Sequence, residues 1–240
     1  MTEETKQEVV ETEEVKQEVV TQQPAASGVA ASDLLLPRIE LLQAMSPKVQ
    51  QGQGKPGTIV DNLEGNPLGE DGTAVTIIPI RVEKNFIRWF PRDEGGGIMY
   101  RTNNGNDPRV VEDTKWIGKE KPKCTAYLNF LCIVEGRTLP IVVSFAMTSY
   151  TAGRKLLTMC ESGRMEGLEY HDCRYKLSPL VKTNSFGSFF IFGIDKIGPS
   201  TSDDKARAKR AMDMFSGKEI SFEQESGTAT TTSNDHGDEF

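Results

Sequence analysis

The chain has 240 residues, a hydrophobic content of 37% and a formal net charge of −7, enough for one ordinary domain plus segments that lie outside any core. No run approaches the roughly 18 apolar residues of a membrane span, and the acidic start MTEETKQEVV lacks a signal-peptide h-region. These features predict a cytosolic protein, here the host cytoplasm, with reduced and mostly buried thiols at Cys124, Cys132, Cys160 and Cys173.

The charge is unevenly placed. Residues 1–32 carry 7 acids and 2 bases, and residues 217–240 carry 6 acids and 1 base. The centre holds 22 acids and 25 bases, a net of +3. A mildly basic centre between acidic ends admits an anionic ligand that the overall charge would argue against. At the N-terminus, ETKQEVV (Glu4 to Val10) recurs as EVKQEVV (Glu14 to Val20). The following TQQPAASGVAAS has linker composition, so residues 1–32 read as a disordered acidic arm.

Order is expected to begin near Leu34. LLLPRIELLQAMSP has apolar residues at helix-like spacing but is interrupted by Pro37, which predicts a short helix or an extended element. Ala74 to Phe90 is the first strong strand, with a bend or bulge expected at Pro79. Neither of its faces is cleanly apolar, as in a strand that leaves the core and joins a binding surface. Pro91 to Lys123 shows little regular pattern, and an irregular segment of that length is uncommon unless functional or disordered.

The central stretch from Cys124 to Cys160 changes period. Two β-rich runs, Thr125 to Val134 and Thr138 to Phe145, flank the turn Glu135-Gly136-Arg137, where Gly136 can supply a positive φ. A helix follows, with Thr148 or Ser149 as cap, Leu156, Leu157 and Cys160 on one face, and Ser162-Gly163 as its end. Cys173 to Asn184 and Gly187 to Gly198 then read as a second pair of strands. Asp203 to Gly217 reads as a short basic helix with its acids at the N-terminal end. The last stretch runs through TATTTSN to NDHGDEF.

Strand, long loop, two hairpin strands, helix and two more strands is the order of an OB-fold. The fold class expected is therefore mainly β: a five-stranded OB-fold barrel with one helix between strands 3 and 4, and disordered acidic N- and C-terminal segments. The domains are 1–32 as arm, 33–200 as the nucleic-acid-binding barrel, 201–217 as basic helix and 218–240 as flexible acidic tail. Basic and aromatic residues alternate in the long loop, as a flexible polyanion with π-faces would require. The candidate nucleic-acid-binding set is Lys84, Arg88, Trp89, Arg92, Tyr100, Arg101, Arg109, Lys115, Trp116, Lys119, Lys121 and Lys123. Trp89 and Trp116 are the stacking candidates.

The barrel order and the ending Asp235, Asp238, Glu239, Phe240 together resemble the single-stranded DNA-binding replication proteins of tailed bacteriophages. That resemblance implies an OB core that binds single-stranded DNA. It also implies an acidic C-terminus whose terminal aromatic recruits a polymerase or helicase, with Asp235, Asp238, Glu239 and Phe240 as the partner-binding residues. The acidic N-terminal arm is not part of that family's pattern.

Other chemistry has little support. His171 with Cys173 and nearby Cys160 would need a fourth ligand to hold zinc, and no CxxC is present. No GxSxG or HExxH occurs, and Asp93-Glu94 and Glu112-Asp113 read as solvated loop carboxylates. No catalytic residue, cofactor or membrane contact is expected, and a homodimer is open. Two other classes remain: a β-rich virion or scaffold component whose acidic ends are assembly arms, and a metal-dependent nucleic-acid enzyme.

Overall fold

Runs of branched and aromatic residues between turn residues place most of the strands where the sequence predicts them. A computed structural model describes residues 34–216 except 119 and 186, and describes the backbone but not the side chain of Arg92. The strands are β1 (Ile39–Leu41), β2 (Ile59–Asp61), β3 (Val75–Trp89), β4 (Ile98–Thr102), β5 (Cys124–Val134), β6 (Ile141–Ala146), β7 (Cys173–Asn184) and β8 (Gly187–Pro199). The helices are α1 (Pro47–Gln50), α2 (Pro108–Asp113), α3 (Tyr150–Met165) and α4 (Ser202–Phe215). None is long and apolar enough to cross a membrane.

The architecture is mainly β and antiparallel. The large sheet runs in the order β6-β5-β3-β7-β8, with β4 also paired to β3, and β1 and β2 form a separate pair. The turn between β5 and β6 uses Gly136 at φ 78°, a conformation that costs glycine least. In β3 the register slips between Pro79 and Arg81. The extra residue changes the parity, so that Ile77 before it and Val82 after it pack on the same core. This is the bulge expected at Pro79.

Two apolar layers sandwich the sheet. On its inner face, Ile77, Leu128, Phe130, Val143, Tyr175 and Ile194 pack with Leu156 and Cys160 of α3. On its outer face, Ile78, Ile80, Leu131, Ile133 and Val142 are covered by Leu36 and by Ala208, Ala211 and Phe215 of α4. Burial on both sides explains the nearly continuous apolar runs of the central strands. At its start α4 is held by a capping box, in which Thr201 Oγ accepts from the Asp204 amide at 3.2 Å and Asp204 Oδ2 accepts from the Thr201 amide at 3.0 Å.

The sheet is not closed by hydrogen bonds. Among the described residues no ladder joins β6 to β8. Side chains bridge the two ends instead: Phe145 of β6 meets Phe192 of β8 edge-to-face at 5.8 Å and 78°, and meets Phe130 at 5.8 Å and 84°. Helix α3 lies close against this junction because position 153 is glycine; a Cβ there would sit 2.6 Å from Phe145 Cβ. The outer edge of β8 is blocked by polar side chains. Gln43 Oε1 accepts from the Phe190 amide at 2.9 Å, Gln43 Nε2 donates to the Phe190 carbonyl at 3.0 Å, and Lys155 Nζ donates to the Ile194 carbonyl. Such plugs prevent another strand from pairing there.

Several expectations need correction. Eight strands are present where five were expected; five of the eight follow the expected order, but without closure. The segment 91–123 is not irregular, since it contains β4 and α2. The stretch after Leu34 contributes β1, the extended one of the two alternatives expected there. Ser149 stands at the N-cap position of α3 as expected, but its Oγ bonds to the Ala146 carbonyl within a 3-10 turn instead of to the helix, and α3 continues past Gly163 to Met165. Gly163 is buried inside the helix rather than ending it. All four thiols are free and buried, as expected.

Candidate nucleic-acid interface

Beyond the part covered by α4, the outer face of the sheet changes from apolar to polar. After the bulge, Glu83, Asn85, Ile87 and Trp89 of β3 share this face. Glu83 stands opposite Asn129, which stands opposite Ser144. Asn85 stands opposite Tyr127, and Ile87 lies between Thr125 on β5 and Arg101 on β4. Arg38 reaches across from the β1 side, donating from Nη2 to Ser144 Oγ at 3.1 Å. The result is a band with two arginines, Arg38 and Arg101, beside two half-buried aromatics, Trp89 and Tyr127.

A chain of carboxamides runs through the band. Asn129 Nδ2 donates to Asn85 Oδ1 at 2.8 Å, and Asn85 Nδ2 donates to Asn103 Oδ1 at 2.5 Å. Asn85 and Asn129 are buried, so these bonds satisfy both amide nitrogens and the Asn85 oxygen, while Asn129 Oδ1 has no partner among the described residues. They also tie the β4–α2 connection to the sheet. Burial, together with repulsion from Arg101, lowers the Arg38 pKa against an opposing pull from Tyr127. Burial raises the Tyr127 phenol, opposed by a hydrogen bond with Trp89 and by the charge of Arg38.

The inner face at this end carries a second polar cluster. Val110 of α2 packs on Phe86 and Cys124. Beside it, Arg88 Nη1 donates to both oxygens of Asp113, at 3.0 and 2.7 Å, and the Tyr100 hydroxyl donates to Asp113 Oδ2 at 2.8 Å. Burial pushes the Asp113 carboxyl up, but the bonds from Tyr100 and Arg88 and the charges of Arg88 and Lys123 outweigh it and hold it below the usual carboxylate value. Tyr100 is raised, first by burial and then by its bond to Asp113. Asp113→Ala is expected to destabilise the fold by roughly 1–3 kcal/mol at neutral pH, because Arg88 loses the carboxylate it is paired with among the described residues. A depressed carboxylate stabilises the fold above its unfolded pKa of about 3.9 and ceases to do so as pH falls through the lower folded value. Urea titrations of both proteins should therefore converge at acid pH; a constant difference would refute the linkage.

The sequence-predicted residues divide into groups. Arg88, Arg109 and Lys115 are each paired with a carboxylate: Asp113 at 2.7 Å, Asp107 at 2.7 Å and Glu112 at 2.8 Å. Arg109 also lies over the Tyr100 ring at 4.8 Å. Lys84, Lys121 and Lys123 are exposed, and Lys84 stands over the Phe86 ring at 5.0 Å. Trp116 is 66% exposed in the connection after α2. Trp89 and Arg101 lie on the outer-face band. The side chain of Arg92, and Lys119, Asp235, Asp238, Glu239 and Phe240, lie outside the described residues. The sequence reading missed Arg38, Asn85, Tyr127, Asn129 and Ser144. The signal for two of them was present in β5, where Tyr127 and Asn129 alternate with Leu128 and Phe130.

The zinc candidates do not converge on a site. Cys160 Sγ lies 3.7 Å from the Tyr175 hydroxyl in the core, with its thiol pushed up to about 11, mainly by burial. Among the described residues no three His, Cys, Asp or Glu side chains are grouped to hold a metal ion.

Comparison with known families adds one decisive match, over residues 5–221. The chain belongs to the Pam3 phage gp34-like protein family. It is thus a phage protein, and the match takes in the N-terminal repeats from residue 5 onward as well as the sheet and α4, while 222–240 lie beyond it. No curated protein and no solved structure matches the chain. The Pam3 phage gp34-like family name carries no activity, so any function has to be argued from the interface.

Proposed function

We propose that this phage protein binds single-stranded DNA with little sequence preference and protects it during replication or recombination, without a catalytic step of its own. The observation that carries the reading is the outer-face band of Arg38, Trp89, Arg101 and Tyr127; Trp116, Lys121 and Lys123, in the connection between α2 and β5, are exposed as well. Arginines can pair with phosphates while the aromatic faces stack on bases, a combination indifferent to base identity. The strand order β6-β5-β3-β7-β8, with α3 between β6 and β7, supports an OB-type barrel left open at one seam. In that fold the face of the second and third strands is a ligand surface. The protein would act in the host cytoplasm.

The experiment is a gel-shift comparison of single-stranded and duplex DNA at two salt concentrations. Single strands should bind well above duplex, with affinity falling as salt rises. Equal affinity for duplex, or no binding at low salt, would sink the reading.

The acidic end has a separate role in this proposal. Asp235, Asp238 and Glu239 compete with DNA for the basic surface, and Phe240 recruits a polymerase or helicase. Truncation after Gly227 should tighten DNA binding at low salt, where screening is weakest. Phe240→Ala should leave DNA affinity nearly unchanged yet weaken the partner contact, because it removes no side-chain charge. Unaltered DNA affinity and unaltered co-purification after truncation would remove the tail from the mechanism.

A further inference from the structure

The exposed side of α4 forms one wall of a groove that neither the sheet nor the DNA reading uses. Asp203, Arg207, Arg210 and Met214 line this wall at helical spacing, and the β5–β6 turn, with Leu139 at its tip, forms the other. The groove measures about 570 Å³. Its two large apolar side chains face solvent: Leu139 is 45% and Met214 is 50% exposed. Its positive charge is held in place. The Arg207 guanidinium donates to the carbonyls of Val134 and Arg137, while Arg210 is exposed and makes no ion pair among the described residues.

We propose that the groove is the docking site of this chain's own residues 218–223, KEISFE, which follow almost directly on the end of α4. Ser216, just after the helix, has extended backbone geometry at φ −64° and ψ 134°, and Gly217 next to it has the freedom to reverse the chain. A segment turning back there enters the groove at Met214 and runs antiparallel to the helix. The wall from Met214 to Asp203 is about 16 Å long at helical rise, which an extended chain covers in roughly five residues. Ile220 and Phe222 share one parity of such a strand and seat between Leu139 and Met214. Glu219 and Glu223 share the other and meet Arg210 and Arg207. The family match continues past α4 to residue 221, so the shared sequence does not stop at the helix. The docked strand fixes the root of the acidic tail beside the β5–β6 turn. This inference does not rest on DNA binding.

Hydrogen exchange on the full-length chain tests it. Amides 219–223 should exchange at least about tenfold more slowly than an unstructured peptide. Phe222→Ala, and separately Leu139→Asp on the opposite wall, should restore free exchange while the sheet amides stay protected. Arg210→Glu should speed exchange, and Glu219→Arg added to it should slow it again. A double variant Leu139→Cys, Phe222→Cys should cross-link within one chain. Unprotected amides in the unaltered chain would overturn the proposal. So would protection indifferent to Leu139, or cross-links formed only between copies.

Discussion

Replacing Phe145 with alanine is expected to lower stability by about 3–5 kcal/mol, the range for removing a fully buried aromatic ring. The residue is 0% exposed and stands where the open sheet would otherwise part. Its ring meets Phe130 within the β5–β6 half and Phe192 on β8, both edge-to-face at 5.8 Å. Since no ladder joins β6 to β8, this contact and the packing of α3 do the work that backbone hydrogen bonds do in a closed barrel. For a domain of this size the loss corresponds to a fall in Tm of roughly 10 °C. Urea unfolding followed by tryptophan fluorescence gives the magnitude. Hydrogen exchange gives the location: amides of the β7–β8 hairpin should lose protection before those of β3 and β5. Gly153→Leu should damage the same seam from the other side, by driving a side chain into Phe145. A loss below about 1 kcal/mol for Phe145→Ala would mean that the seam is held by other contacts.

Trp89→Ala is expected to weaken single-stranded DNA binding by about 1–3 kcal/mol, roughly 5- to 150-fold, without unfolding the domain. Trp89 lies half-buried on the outer face, at the end of β3, in line with Asn85 and Ile87. Its exposed part is available to a base while the rest of the ring is fixed by the sheet. Trp116→Ala provides the comparison: 66% exposed, it would stack from the loop rather than the sheet. Whichever substitution costs more identifies the surface that holds the bases. Salt separates stacking from charge. With about four phosphate contacts the affinity should fall roughly 50-fold between 50 and 200 mM salt, and Arg101→Ala should make the log–log slope shallower by about 0.7. Trp89→Ala should leave that slope unchanged, since indole carries no charge. A large drop in melting temperature with unchanged intrinsic affinity would make Trp89 a structural residue.

What the sequence by itself determined about this protein is local. The branched and aromatic residues of Thr125 to Val134 specify a strand, Gly136 permits the turn, and Pro79 favours the bulge, because each depends on local backbone and side-chain sterics. The helical spacing of Leu156 and Cys160 specifies α3 in the same way. Beyond these elements, the acidic composition of both ends could be counted directly.

Tertiary structure alone decided the rest. β4 and α2 are short, and β4 becomes a strand because Phe86 to Trp89 offers it an edge. The basic loop read as a free cationic surface because a count of charges cannot show pairing. Only folding brings Asp113 within 2.7 Å of Arg88, across a sequence gap of 25 residues. The outer-face band joins Arg38, Asn85, Asn103, Asn129 and Ser144 through strand register. Register is set by which faces the core buries, and that choice is made by the whole sheet rather than by any one strand. The same holds for the open seam. Whether β6 and β8 pair depends on the twist and spacing of five strands and on the helix wedged against them, quantities that no local pattern of residues contains.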